Sequence, residues 1–237
     1  MSEIAEESIV ELIPPFRRHD LIWFTSTGWE EVCAQLSLEQ QRALQTWRAG
    51  DFPAIVRRRD ADAVDNDICI GFALPPQNGQ RLRIGARVRS THVTEHQSPL
   101  ALNAVIPQAA IRWRDELRAL QNEAMLNGLR FRVYGSLALQ FLTGQSYLQE
   151  GSDIDLLLTP QSQEQLSAAM KLLQHYQQRL PLDGEIVFPG GWSVAWKEWL
   201  IAEQMPAPAS AQRVLVKDLR SVRLMNRDEL LRSLPPC

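Results

Sequence analysis

The segment VYGSLALQFLTGQSYLQEGSDIDLLL, residues 133–158, constrains the fold of this chain more than any other. Leu129, Phe131 and Val133 alternate with Arg130 and Arg132, the period-two signature of a half-buried strand. Gly135-Ser136 then turns that strand into the helix-like run LALQFL. After a loop from Thr143 to Ser152, a second strand spans Asp153 to Leu158. A glycine-serine turn that feeds a helix offers backbone amides and the Ser136 hydroxyl to an anion, which makes Gly135 and Ser136 a candidate phosphate seat. Asp153 and Asp155 stand two apart on the second strand, so both carboxylates share one face. Ile154 and Leu156 to Leu158 make this strand core-like, so the aspartates project from a buried element and not from an acidic loop. Two like charges held side by side are costly unless a hard cation binds them, and an oxygen donor set suits magnesium, which keeps waters and substrate phosphates.

The rest of the second half supports this strand-helix-strand frame. Trp113, Leu117, Leu120 and Ala124 recur at helical spacing, in a helix opened by Pro107 and closed by Asn127-Gly128. A glutamine-rich helix is expected from about Pro160 to Arg179 and a third strand from Asp183 to Phe188, which turns at Pro189-Gly190-Gly191 into Trp192 to Trp199.

The first hundred residues are strand-rich, punctuated at Pro14-Pro15, Gly50-Asp51, Pro75-Pro76 and Asn78-Gly79. One helix is expected from about Ser37 to Ala49. Asp67 to Leu74 and Arg81 to Arg89 read as a hairpin about the PPQNG turn. In the second of these, Arg81, Arg83, Arg87 and Arg89 point one way and Leu82, Ile84, Ala86 and Val88 the other. Pro99 to Pro107 reads as a connection, with the domain boundary near Gln97. The fold class is therefore α+β, with a small strand-rich domain over residues 1–97 and a second domain over 98–237 whose mixed sheet is flanked by helices.

Composition narrows the function. Charged residues are 22% and the net charge is 25 − 28 = −3, so the basic footprint of a duplex-binding domain is missing and no nucleic-acid polymer is expected. Cys33, Cys69 and Cys237 are odd in number and lack CxxC or zinc-finger spacing, which points to free thiols and a cytoplasmic location. No apolar run approaches the ~18 residues of a membrane span, and the start MSEIAEESIVELIPP is acidic where a signal peptide would be basic and then apolar.

The order strand, Gly-Ser, helix, loop, Asp-x-Asp strand resembles the nucleotidyltransferase superfamily of DNA polymerase beta and the aminoglycoside nucleotidyltransferases. The second domain is accordingly expected to be polymerase-beta-like. The longer string YGSLALQFLTGQSYLQEGSDIDLLL, together with RRHDLIWF, PAIVRR at 53–58 and DGEIVFPGGWSVAWKEW at 183–199, is similar to the phosphoribosyl-dephospho-CoA transferases of malonate decarboxylase, also called malonate decarboxylase holo-acyl-carrier-protein synthases. That resemblance implies transfer of a prosthetic group from triphosphoribosyl-dephospho-CoA to a serine of an apo acyl-carrier protein, with loss of pyrophosphate. It also implies that Asp153 and Asp155 hold one or two magnesium ions, and that Glu185 or Asp183 supplies a third carboxylate. Glu185 is preferred as the catalytic residue and metal ligand. Lys197, one of three lysines, is a candidate to neutralise the leaving pyrophosphate, and Lys217 carries the same idea with less weight.

Two other classes stay open. Gly135, Ser136, Asp153 and Asp155 would equally serve transfer of a nucleotide to a small hydroxylated or aminated molecule, and a non-catalytic scaffold that binds a coenzyme or carrier would not need the aspartate pair. His92-Val93-Thr94-Glu95-His96 matches the H-x-x-E-H pattern of a zinc hydrolase, but β-branched Val93 and Thr94 and nearby Pro99 argue against the helix it needs. The arginine face of Arg81, Arg83, Arg87 and Arg89 either docks an acidic carrier protein or is surface paired with Asp60, Asp62, Asp65 and Asp67.

Overall fold

The computed structural model describes residues 16–77 and 79–235. The turn signal at Pro14-Pro15, Asn78 of the PPQNG turn and Cys237 lie outside the described residues.

The first sheet is antiparallel and five-stranded. Its elements in chain order are β1 (Leu21–Phe24), α1 (Ser26–Ala34), α2 (Leu38–Ala43), α3 (Gln45–Ala49), β2 (Ala54–Val56), β3 (Asp67–Ala73), β4 (Arg83–Arg89) and β5 (Val93–Gln97), and the strands lie in the order β4-β3-β2-β1-β5. The hairpin β3–β4 pairs Asp67 with Arg89 through to Ala73 with Arg83. Ile84, Ala86 and Val88 are buried as the alternation requires, but β4 begins only at Arg83, so Leu82 is 47% exposed and Arg81 leaves the face.

The single helix expected from Ser37 to Ala49 is two helices. A capping box between Ser37 and Gln40 starts α2, and buried Leu44 breaks the run with a backbone at φ −88°, ψ −1° before α3. Helix α1 has no counterpart among the sequence expectations. Thr25 caps it by accepting from the Gly28 amide at 3.1 Å, and Gly28 packs closely, since a Cβ there would lie 3.0 Å from Phe24 Cβ and 3.1 Å from His92 Cβ.

The second sheet is mixed. It comprises β6 (Leu100–Ala101), α4 (Leu102–Val105), α5 (Ile111–Leu126), β7 (Phe131–Tyr134), α6 (Gly135–Thr143), β8 (Ile154–Leu158), α7 (Gln163–Tyr176), β9 (Leu182–Val187), β10 (Ser193–Ala195), α8 (Trp196–Gln204), β11 (Arg213–Lys217), β12 (Val222–Asn226) and α9 (Arg227–Arg232). The strand order is β12-β11-β10-β9-β8-β7-β6, and every pair is antiparallel except β8–β9, which is joined by the crossover through α7. Three expectations change here. The connection Pro99 to Pro107 contains the edge strand β6 and helix α4, and Pro107 sits in a 3₁₀ turn ahead of α5 and not at its start. Trp192 to Trp199 is the short strand β10 followed by the start of α8, so Lys197 lies on a helix.

Burial explains the frame. Trp113, Leu117, Leu120 and Ala124 of α5 are buried with Phe131, Val133, Ile154, Leu156 and Leu158 in the core of the second sheet. Leu139 of α6 and Tyr147 of the following loop belong instead to the core of the first sheet. Tyr147 is fully buried, and its hydroxyl donates to the Ala73 carbonyl at 2.9 Å. The two halves are therefore locked together at α6, the helix that carries the candidate phosphate seat.

Candidate active site

Four residues at the carboxyl end of β7 and along β8 and β9 form the centre. Gly135 has φ +69° and begins α6, and no side chain caps that helix, so its first amides keep no protein acceptor from a capping residue. Asp155 Oδ2 approaches so closely that a Cβ on Gly135 would stand 1.9 Å from it. The parallel register sets Asp155 beside Asp183, Leu156 beside Gly184 and Leu157 beside Glu185. Gly184 has φ +131°, and a Cβ there would lie 1.8 Å from the Leu156 carbonyl oxygen. The glycine of the Asp183-Gly184 pair is thus a mid-strand residue that lets β9 close on β8, and not a turn.

The electrostatics follow from this crowding. Burial, then the charges of Asp183 and Asp153, push the Asp155 carboxyl up to about 7, with Arg81 pulling the other way. Arg81 also donates to Ser136 Oγ at 3.0 Å, which ties the loop beside the PPQNG turn to the head of α6. Lys197 Nζ stands 3.6 Å from Asp183 Oδ1.

Glu185 has other company. Arg18 donates to both of its oxygens at 3.1 Å, His19 Nε2 lies 3.5 Å from Oε2, and Lys217 Nζ is 3.9 Å from Oε1. Burial alone would raise its carboxyl, but His19 and Arg18 hold it down at about 2. Arg18 also donates to Ser193 Oγ at 2.9 Å. Arg18 and His19 are contributions the sequence reading did not identify. Their signal was the RRHD run, and His19 carries φ +73°, a strained conformation for a side chain of its size. Its ring stacks on Tyr134 at 4.0 Å between centroids.

The sequence-derived residues therefore divide. Gly135, Ser136, Asp155 and Asp183 gather about the head of α6. Asp153 is exposed one residue before β8, and Glu185 sits two residues further along β9 than Asp183, in an ion-pair network. Arg81 joins Ser136, whereas Arg87 pairs with Asp60 and Asp62 and Arg89 pairs with Glu31 at 2.8 Å. Neither Arg81 nor Arg83 makes an ion pair among the described residues, and Arg83, which also makes no side-chain hydrogen bond there, lines a cavity of about 330 Å³ with Arg81, His19, Gly135 and Asp155. His92 to His96 forms a 3₁₀ turn and strand β5, with His96 Nε2 2.7 Å from Asp20 Oδ2, so no helical face joins the two histidines.

Among the described residues no three His, Cys, Asp or Glu side chains converge to metal-ligand spacing. The donor chemistry still fits a hard cation, because Asp153, Asp155 and Asp183 offer only oxygens and the Asp155 carboxyl is destabilised as an anion by its acidic neighbours. Among the described residues, no helix is long and apolar enough to cross a membrane.

Comparison with known proteins adds the identity of the frame. The profile of the phosphoribosyl-dephospho-CoA transferase MdcG N-terminal domain matches residues 17–99, and that of the MdcG C-terminal domain matches residues 100–228. A phosphoribosyl-dephospho-CoA transferase of Xanthomonas euvesicatoria is 36% identical over 217 residues, which are 90% of this chain and 95% of that protein. The protein of the same name from Bradyrhizobium diazoefficiens is 30% identical over 220 residues, 92% and 93% of the two chains, and one from Pseudomonas putida is 28% identical over 213, 89% and 93%. No solved structure matches the chain significantly.

Proposed function

The chain belongs to the phosphoribosyl-dephospho-CoA transferase family, and from that membership we propose that it transfers the prosthetic group of triphosphoribosyl-dephospho-CoA to a serine of the apo acyl-carrier subunit of malonate decarboxylase, by a magnesium-dependent nucleotidyltransfer. The observation that carries the reading is the joint placement of Gly135, Ser136 and Arg81 against Asp155 and Asp183. It brings amides and a guanidinium that would seat phosphate beside a crowded carboxylate pair.

In this mechanism the triphosphate lies along the head of α6, where the amides of the first turn, the Ser136 hydroxyl and Arg81 bind the phosphates that leave as pyrophosphate. Asp153, Asp155 and Asp183 would hold the magnesium, which when bound neutralises the triphosphate and polarises the α-phosphate. The carrier serine oxygen forms a bond to the α-phosphorus as the bond to the β-phosphate oxygen breaks. Its proton leaves toward the carboxylates, and no covalent enzyme intermediate is needed. Catalysis is then positioning and charge neutralisation. Asp183 is the better third carboxylate on register grounds, while Glu185 holds Arg18 and His19 in place from below. Lys197, beside Asp183, is well placed to meet the departing charge.

The test is intact mass spectrometry of apo carrier protein incubated with the enzyme, magnesium and the triphosphoribosyl precursor, with ATP as control. A mass gain equal to phosphoribosyl-dephospho-CoA supports the reading. Modification by ATP alone would replace it with transfer of an ordinary nucleotide.

A further inference from the structure

His19 and Pro99 line a second cavity besides the catalytic one, on the side of Glu185, of about 500 Å³. Arg17, Arg132 and Arg220 stand in its wall. The side chains of Arg17 and Arg220 make no hydrogen bond or ion pair among the described residues, and Arg132 spends one N–H on the Pro99 carbonyl at 2.7 Å. The carboxylates of the same wall are all engaged elsewhere. Asp20 meets His96, Glu185 meets Arg18, and Asp218 accepts from the amides of Arg220 and Ser221. Among the described residues the cavity thus presents uncommitted guanidinium groups and no uncommitted acid. Gly190 and Gly191 close one end with φ +84° and +88° and open space where their Cβ atoms would be, so a ligand can approach the backbone there. Phe16 and Val187 give the wall an apolar side.

We propose that this cavity seats the diphosphate and the start of the uncharged arm of the dephospho-CoA moiety. The inference rests on the transferase reading above. A donor of that class carries two anionic groups, the reacting triphosphate and a diphosphate diester, separated by two linked riboses, one of which carries the base. The protein offers two cationic seats, Arg81 at the head of α6 and the Arg17, Arg132 and Arg220 wall, which meet at His19 and Pro99. Planar guanidinium forks match phosphate oxygens in pairs, so arginine in place of lysine at all three positions fits this ligand.

The experiment is calorimetric titration of dephospho-CoA, adenosine and tripolyphosphate into wild type, the Arg17→Gln/Arg220→Gln double variant and Arg81→Gln. Both wall residues are exposed and their side chains have no polar partner among the described residues, so the double variant should fold normally. It should lose roughly tenfold or more in dephospho-CoA affinity, keep tripolyphosphate binding and keep whatever adenosine binding wild type shows. Arg81→Gln should do the reverse, weakening tripolyphosphate only. Dephospho-CoA affinity within twofold of wild type in the double variant overturns the seat. A wild-type protein that binds tripolyphosphate but no dephospho-CoA overturns the coenzyme reading itself, and the seat with it.

Discussion

Asp155 Oδ2 occupies space that any side chain on Gly135 would need, at 1.9 Å from the position of its Cβ. The strand carboxylate and the first residue of α6 are therefore one fitted unit. Gly135→Ala should displace Asp155 and cost on the order of 10²-fold in turnover, since misplacement by about 1 Å is enough for that. Gly144→Ala is the control. It has φ +68° but nothing within 4 Å, so it should cost about 1 kcal/mol of strain in a thermal melt and leave turnover unchanged. Equal turnover in the two variants would dissolve the unit.

Asp183 and Glu185 share a strand face but have different neighbours, Lys197 for the first and Arg18 and His19 for the second. Asp183→Asn should lower turnover roughly 10²- to 10³-fold with little change in melting temperature, because its only ion pair among the described residues is the half-exposed one with Lys197. Glu185→Gln should instead leave the partly buried Arg18 without its carboxylate and destabilise the fold by roughly 1–3 kcal/mol. Paired kinetics and melts check this, and a stable, inactive Glu185→Gln protein would return the third carboxylate to Glu185.

The raised Asp155 carboxyl predicts a pH signature in chelator. Its folded value of about 7 lies above the ordinary 3.8, so the folded state holds a proton that the unfolded chain releases. Stability therefore falls as pH rises through that window, and the full penalty is present above about 7. The melting-temperature advantage of Asp155→Asn over wild type should be near zero at pH 4 and largest at pH 8. At pH 8 magnesium should raise the melting temperature of wild type and not of the variant. A difference independent of pH would contradict the assigned burial and crowding.

These features were unevenly legible in the sequence. The strand, Gly-Ser, helix and Asp-x-Asp order was readable because Leu129 to Tyr134 and Ile154 to Leu158 alternate or run apolar in full, and α5 keeps a clean helical stripe. Glu185 and Asp183 could not be ranked by spacing, since period two puts both on one face. Their ranking depends on the parallel register with β8, which sets Asp155 against Asp183, and on Arg18, which comes from 167 residues away. Helix α1 was hidden because its STGWEEVCA run mixes a glycine with β-branched residues, and the glycine is there for packing against Phe24 and His92. The arginine alternation was legible as a strand and Asp60 and Asp62 were among its expected partners, whereas Glu31 was not, because it arrives on α1.

That last point changes what the arginines should do. Arg87 and Arg89 are held by carboxylates and Arg81 is tied to Ser136, so docking of an acidic carrier on this face would rest on Arg83. Arg83→Gln should raise the apparent Michaelis constant for an acidic carrier and flatten its salt dependence. Arg87→Gln should leave both alone and lower stability slightly. Titration of carrier at several ionic strengths separates the two, and identical behaviour would remove docking from this surface.

The most direct measurement follows pyrophosphate release and carrier mass gain in one reaction, for wild type, Asp153→Asn and Asp155→Asn. The account predicts one pyrophosphate per phosphoribosyl-dephospho-CoA attached, strict need for magnesium, and loss of both signals by at least about 10²-fold in each variant while the protein stays folded. Near-normal transfer by either variant, or transfer that persists in chelator, would contradict it.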